Sequence, residues 1–152
     1  MRVRDLEALQ MIYLDSSAYL CVLLGEKQSE KIEKLLQGKA LCSSSFLVLE
    51  VERNLVRLSR EKVISEKDFS KLHARLKSDV ELFLFKDLDF DLSLSGVFPA
   101  VKTPRSSDLV HLRTALWFMN QERLGGFLTL DQHQLEAAME MKLPVIEIVR
   151  KM

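Results

Sequence analysis

The sequence predicts an α/β protein with a mainly parallel central sheet. Apolar runs of strand length alternate with longer runs of helical periodicity, and no tight hairpin signal joins any two of the strands. The first strand-like run, Ile12-Tyr13-Leu14, is apolar at consecutive positions, which suits a strand covered on both faces. The pattern continues over 152 residues without repeat, low-complexity segment or linker, so one domain with one real core is expected.

Residues 12–14 form the first strand and run straight into Asp15. Residues 18–24 read as a helix stopped by Gly25. A second helix, 29–37, gathers Ile32, Leu35 and Leu36 on one face, leaves Glu30, Lys31, Glu33 and Lys34 off it, and ends at Gly38. Residues 39–42 are a short second strand. Ser43-Ser44-Ser45 supplies N-cap hydroxyls for a long helix, 46–60, whose stripe is Leu47, Val48, Val51, Leu55 and Leu58. Ser65 and Asp68 have capping-box spacing and open a helix over 65–78, with Phe69, Leu72 and Leu76 inward. These two helices are expected to form a hairpin. Residues 80–85 alternate as a third strand.

A weaker helix over 87–97 closes at Gly96 and Pro99, and 101–107, with Pro104, is a loop. Ser107-Asp108 starts a strong helix to about residue 123, with Leu109, Leu112, Leu116 and Met119 on one face, broken by Gly125-Gly126. Residues 127–130 are the fourth strand, ending in Asp131. A helix over 134–141 and a last strand over 144–149 complete the chain. The domain is read as 11–152, with 1–10 as a leader and Met11 as an alternative start.

Hydrophobic residues at 47% and charged residues at 29% describe an ordinary soluble globular protein. Lysine plus arginine balance aspartate plus glutamate, which excludes an overall basic field; any hold on nucleic acid must come from local cations or a metal. Cys21 and Cys42 match no zinc or redox spacing and read as buried, reduced thiols. No apolar run reaches the roughly 18 residues of a membrane span. The first ten residues carry Asp5 and Glu7 and lack a signal core, so a cytoplasmic protein with no membrane partner is expected.

Four acids stand out. Asp15 and Asp131 each sit between a strand and a helix, and in a parallel sheet such joints share one edge. Asp108 opens a helix whose preceding loop can reach that edge. Glu50 lies one turn into the helix after the second strand, although helical position alone does not separate it from Glu52. Four carboxylates on one rim repel, and hard oxygen ligands of this kind suit Mg²⁺ or Mn²⁺. Such an ion can activate water for phosphodiester cleavage. Singly, each acid also reads as a helix cap, a first-turn acid or a solvated side chain.

The motifs around these acids resemble a known family. Ile12-Tyr13-Leu14-Asp15-Ser16-Ser17-Ala18 looks like the opening of a PIN domain. Ser44-Ser45 followed by Glu50-Val51 is similar to its second motif, Asp108-Leu109-Val110-His111-Leu112-Arg113-Thr114-Ala115-Leu116 to its third, and Leu128-Thr129-Leu130-Asp131 with Leu135-Glu136-Ala137-Ala138 to its fourth. The order matches across 11–149, and size and layout look most like VapC-type toxins of toxin–antitoxin pairs. The resemblance implies a three-layer α/β/α sandwich and a Mg²⁺- or Mn²⁺-dependent endoribonuclease. It implies Asp15, Glu50, Asp108 and Asp131 as the acidic catalytic and metal site, and favours Glu50 over Glu52 by its offset from the serine pair. Ser17 and Thr129 are implied as polar neighbours that orient ligands or water. Asp15 and Asp108 are the expected direct ligands, with Glu50 and Asp131 acting through metal-bound water or positioning the nucleophile. Implied partners are RNA, an antitoxin protein and a second copy of the chain in a homodimer; Phe46, Leu49 and Val56 are the apolar positions available for such docking, with core packing as the ordinary alternative.

Lys102, Arg105 and Arg113 lie near Asp108 in sequence and are candidates for RNA phosphate contacts, equally readable as solvated charges. His111 reads as a packed helix histidine, and His73 and His133 as surface residues. Two other functions compete. A phosphoacceptor protein would use Asp15 as nucleophile, but a haloacid-dehalogenase-like site wants a second aspartate where Ser17 stands, and a receiver domain wants an acidic pair and late lysine that are not evident. A non-toxin PIN-like protein that processes or binds RNA is the other.

Overall fold

The computed structural model describes residues 10–95, 101–102 and 105–148. All of the leader except Gln10, residues 96–97 at the end of the expected 87–97 helix, Pro99 and Pro104, and residue 149 of the last strand lie outside the described residues. The elements are β1 (Met11–Leu14), α1 (Ser16–Leu24), α2 (Ser29–Leu36), β2 (Ala40–Ser44), α3 (Phe46–Arg60), α4 (Glu66–Asp79), a 3₁₀ turn (Val80–Leu82), β3 (Phe83–Lys86), α5 (Phe90–Leu94), α6 (Ser106–Asn120), β4 (Leu124–Leu128), α7 (Gln132–Glu140) and β5 (Val145–Ile146). The five strands form one sheet in the order β3-β2-β1-β4-β5, and every neighbouring pair is parallel. The chain is an α/β protein of the three-layer kind, as its sequence predicts.

β1 shows why a consecutive apolar run was needed. Met11 and Tyr13 join Leu112, Ala115 and Phe118 of α6 and Ala137 and Ala138 of α7 on one face. Ile12 and Leu14 join Ala18 and Cys21 of α1 and Ile32 of α2 on the other. The side-chain period of two splits one run between two cores, and all four residues are buried. A third cluster packs Tyr19 and Leu23 of α1 against Leu47, Val51 and Leu55 of α3 and Leu76 of α4. The α3–α4 hairpin therefore rides on α1. Among the described residues, no helix is long and apolar enough to cross a membrane. Cys21 and Cys42 are both buried and unbridged.

Local signals account for several boundaries. Ser65 caps α4, accepting from the Asp68 N–H at 3.1 Å while Asp68 reaches back to the Ser65 N–H, so the capping box forms in full. Gly25 ends α1 at φ 64°, a left-handed conformation that glycine adopts without steric cost.

Other expectations need correction. Gly125 and Gly126 do not break a helix; they lie inside β4. A side chain at Gly126 would collide with Ile146 of β5, so the glycine admits close strand packing. β4 ends at Leu128, and Thr129 to Asp131 form a loop rather than strand. Residues 80–82 are a 3₁₀ turn, so β3 begins only at Phe83; Phe83 and Phe85 pack inward while Leu82 and Leu84 face solvent. The stripe of α6 is rotated from the leucine row. Its buried residues are Asp108, His111, Leu112, Thr114, Ala115 and Phe118, because the helix turns polar side chains toward the sheet edge at its N-terminal end.

Candidate functional site

β1 and β4 are neighbours, yet the chain leads from β1 to β2 and β3 on one side and from β4 to β5 on the other. Where connections diverge in this way, the loops after the strands part and leave a crevice at the carboxyl ends. A cleft of about 490 Å³ opens there. Asp15, Glu50, Asp108 and Asp131 all line it, with Ser16, Ser17, Asn54 and His111, and with Arg53, Arg105 and Ser107. Four carboxylates from four separate segments thus share one cavity. Glu52 lies elsewhere, paired at 2.7 Å with His73 on α4, so the fold separates the two glutamates that sequence position left open.

Asp15 is the most enclosed of the four, 4% exposed. Its Oδ1 caps α1, accepting from the Ala18 N–H at 3.1 Å, and accepts from Ser17 Oγ at 2.6 Å. Its Oδ2 accepts from Thr129 Oγ1. Both hydroxyls are themselves oriented by backbone, since Leu130 N–H donates to Ser17 Oγ at 2.9 Å and Asp131 N–H to Thr129 Oγ1 at 3.1 Å. Ser17 and Thr129 therefore aim their protons at Asp15. Burial pushes the Asp15 carboxyl up, opposed by the neighbouring His111 and by these hydrogen bonds.

Glu50 is held on two sides. Its Oε1 lies 2.5 Å from His111 Nε2, and Ser16 Oγ donates to Oε2 at 3.2 Å. The other His111 nitrogen, Nδ1, is 2.7 Å from the Tyr13 hydroxyl. Burial drives the Tyr13 phenol well above its ordinary range, so it stays protonated and can donate to Nδ1, leaving Nε2–H for Glu50. His111 is a packed helix histidine as expected, 2% exposed, and it is also Glu50's anchor. His133 is exposed, whereas His73 is half-buried against Glu52.

Asp108 lies in the first turn of α6, 7% exposed, and Gln134 Nε2 donates to its backbone carbonyl at 3.1 Å, tying the starts of α6 and α7 together. Asp131 caps α7 through Oδ1, accepting from the Gln134 N–H at 3.1 Å. The capping alternative is thus real for Asp15 and Asp131, and in each the second oxygen engages another group. Arg105 bridges the remaining pair: Nε is 3.4 Å from Asp108 Oδ2 and Nη2 is 3.4 Å from Asp131 Oδ2.

The three basic candidates separate. Arg105 lines the cleft. Arg113 does not: its guanidinium donates to the Ser93 carbonyl of α5, and it lines a different hollow with Leu88 and Leu109, because position 113 lies on the α5-facing side of α6. Lys102 is exposed and does not line the cleft. Arg53 and Asn54 do line it and were not singled out from sequence. Their spacing from Glu50, three and four residues on, places them on its helix face and was the available signal.

Carboxylate oxygens are the right donors for Mg²⁺ or Mn²⁺. Among the described residues, no group of three or more acidic, histidine or cysteine side chains is placed so as to hold a metal ion. Mg²⁺ does not require one, since one or two carboxylates plus water and substrate phosphate commonly suffice. No protein-family model matches the chain, and no curated protein matches it.

Proposed function

We propose that this protein is a Mg²⁺- or Mn²⁺-dependent endoribonuclease of the PIN-domain type, acting as the toxin of a toxin–antitoxin pair. The observation that carries the reading is the convergence of Asp15, Glu50, Asp108 and Asp131 on one cleft at the switch point of the sheet. Asp15 and Asp108 are the residues that would hold the ion directly, with Glu50 and Asp131 acting through water. Once bound, the ion supplies a lowered water pKa and charge neutralisation at the phosphate.

The chain's own contribution is positioning. Ser17, Thr129 and the Ala18 N–H hold Asp15 in one orientation, and Tyr13, His111 and Ser16 do the same for Glu50. Burial penalises a bare Asp15 carboxylate, which favours a cation beside it. Because the chain has no net positive charge, RNA would be drawn locally, by Arg53 and Arg105 at the cleft. A nucleophilic role for Asp15 fits less well, since Ser17 stands where a haloacid-dehalogenase-like site wants its second aspartate.

The toxin assignment draws on the resemblance and on the apolar face of the α3–α4 hairpin. Leu49 is 61% exposed and Val56, two turns further along the same helix face, is 49% exposed. An amphipathic antitoxin helix or a second copy of the chain would cover such positions. Phe46, the third of the expected apolar positions, is half-buried and lines the cleft.

The decisive experiment is RNA cleavage with Mg²⁺ or Mn²⁺, comparing wild type with Asp15→Asn. The expected loss exceeds about 100-fold, beyond what residues that merely support a metal ligand usually cost. Metal-independent cleavage that survives the substitution would sink the reading.

A further inference from the structure

We propose that Arg105 is a built-in counter-ion for the acidic cleft: it holds Asp108 and Asp131 in the cation-free protein, yields them to an entering divalent cation, and then turns to a phosphate of the RNA. The inference rests on the nuclease reading and deepens it.

Three observations carry it. The guanidinium touches both carboxylates at once, at 3.4 Å each, and so bridges two acids that line the same cleft. A guanidinium keeps its charge at every working pH, so only competition removes it. The hold is loose. Tight charge-assisted bonds run at about 2.7–2.9 Å, and the Arg105 side chain is 64% exposed, where ion pairs contribute little. Finally, the side chain does not cap the helix it precedes. Arg105 stands at the N-cap position of α6 with an extended backbone, φ −142° and ψ 153°, and makes no side-chain capping bond. It can leave without exposing a helix end.

A divalent cation carries twice the charge of one guanidinium and binds carboxylate oxygens directly, so it displaces so weak a tie. The released guanidinium then lies at the mouth of the same cleft. Its planar fork suits a phosphate as well as a carboxylate. The design offsets part of the charge of the two acids without a metal and turns the same cation toward substrate when the metal is present.

Calorimetric titration of the whole protein with Mn²⁺ tests the first half. Arg105→Ala removes the competitor, so the variant is expected to bind Mn²⁺ about three- to tenfold more tightly than wild type, the worth of one or two exposed ion pairs. Equal or weaker binding by the variant overturns the proposal. Arg105→Lys, which keeps the charge but cannot bridge two carboxylates as a fork, is expected to fall between the two. The second half is read from RNA cleavage at saturating Mn²⁺, where Arg105→Ala should raise KM about fivefold or more while kcat stays within about twofold. An unchanged KM overturns the substrate role. If neither wild type nor variant binds Mn²⁺, the nuclease reading falls and the counter-ion role falls with it. Equal Mn²⁺ binding in both removes the counter-ion role alone.

Discussion

Helix α3 carries two glutamates two residues apart, each paired with a histidine, and the two pairs have different fates. Glu50 turns toward the sheet edge, where His111 lies at 2.5 Å and is itself held by Tyr13. Glu52 turns toward α4, where His73 lies at 2.7 Å. The histidine side chains are 2% and 29% exposed, and the glutamates 17% and 44%. The chemistry of the pairs is the same, so surroundings decide what each can do. In the cleft, water is partly excluded, a third group fixes the ring, and three other carboxylates share the cavity. On the hairpin, the pair is half-solvated and contributes at most modest stability. A two-residue step turns a helix by about 200°, enough to send one carboxylate to a site and the other to the surface.

Removing each carboxylate's charge should break the symmetry most sharply. On the nuclease reading, Glu50→Gln lowers RNA cleavage by about 100-fold, while Glu52→Gln leaves it within about twofold, in the range of supporting and non-supporting groups respectively. Cleavage by Glu50→Gln within about twofold of wild type would place Glu50 outside the chemistry. Removing the histidines should separate them by stability. His111→Ala empties a buried ring position and removes the partner of Glu50 Oε1 and one partner of the Tyr13 hydroxyl, at a cost of about 2–4 kcal/mol in urea unfolding. His73→Ala should cost no more than about 1 kcal/mol.

The pH dependence of stability sharpens the contrast further. Burial raises the Asp15 carboxyl in the folded state above its ordinary value of 3.8. The folded protein then holds this proton after the unfolded chain has lost it. Asp15's contribution is full below 3.8 and is lost as pH rises through the raised folded value. In a chelator, Asp15→Asn should therefore melt at or above wild type at pH 7, with the advantage shrinking toward pH 4. Adding Mn²⁺ should raise the melting temperature of wild type and not of the variant. A wild type whose stability rises steadily over this window would contradict the desolvation account. A modest effect is expected at Ser65. Ser65→Ala removes the cap of α4 and costs about 1 kcal/mol, loosening the hairpin that carries His73, with cleavage unchanged.

Much of this arrangement was readable from local pattern. The consecutive apolar run at 12–14 announced a doubly covered strand. The spacing of Ser65 and Asp68 announced a capping box, and the 46–60 helix keeps its expected ends. These signals are legible because caps and periodicity act over three or four residues. The misplaced elements depend on distant contacts. Gly125-Gly126 reads as a helix breaker until Ile146 is packed against Gly126. The leucine row of α6 looked like its buried face until Tyr13 and Glu50 drew His111 inward. Arg113 resembled a phosphate ligand until α5 claimed it.

The sequence by itself determined that strands alternate with helices, that acids stand after the first strand and at two later joints, and that the sheet is buried on both faces. Periodicity and the types of residue at the joints suffice for that. Only the tertiary structure decided that β4 lies beside β1. Strand order depends on which long-range pairings bury the most apolar surface together, and no local pattern encodes it. That pairing opens the crevice, brings Thr129 and Asp131 beside Asp15, and with the rotation of α3 selects Glu50 over Glu52.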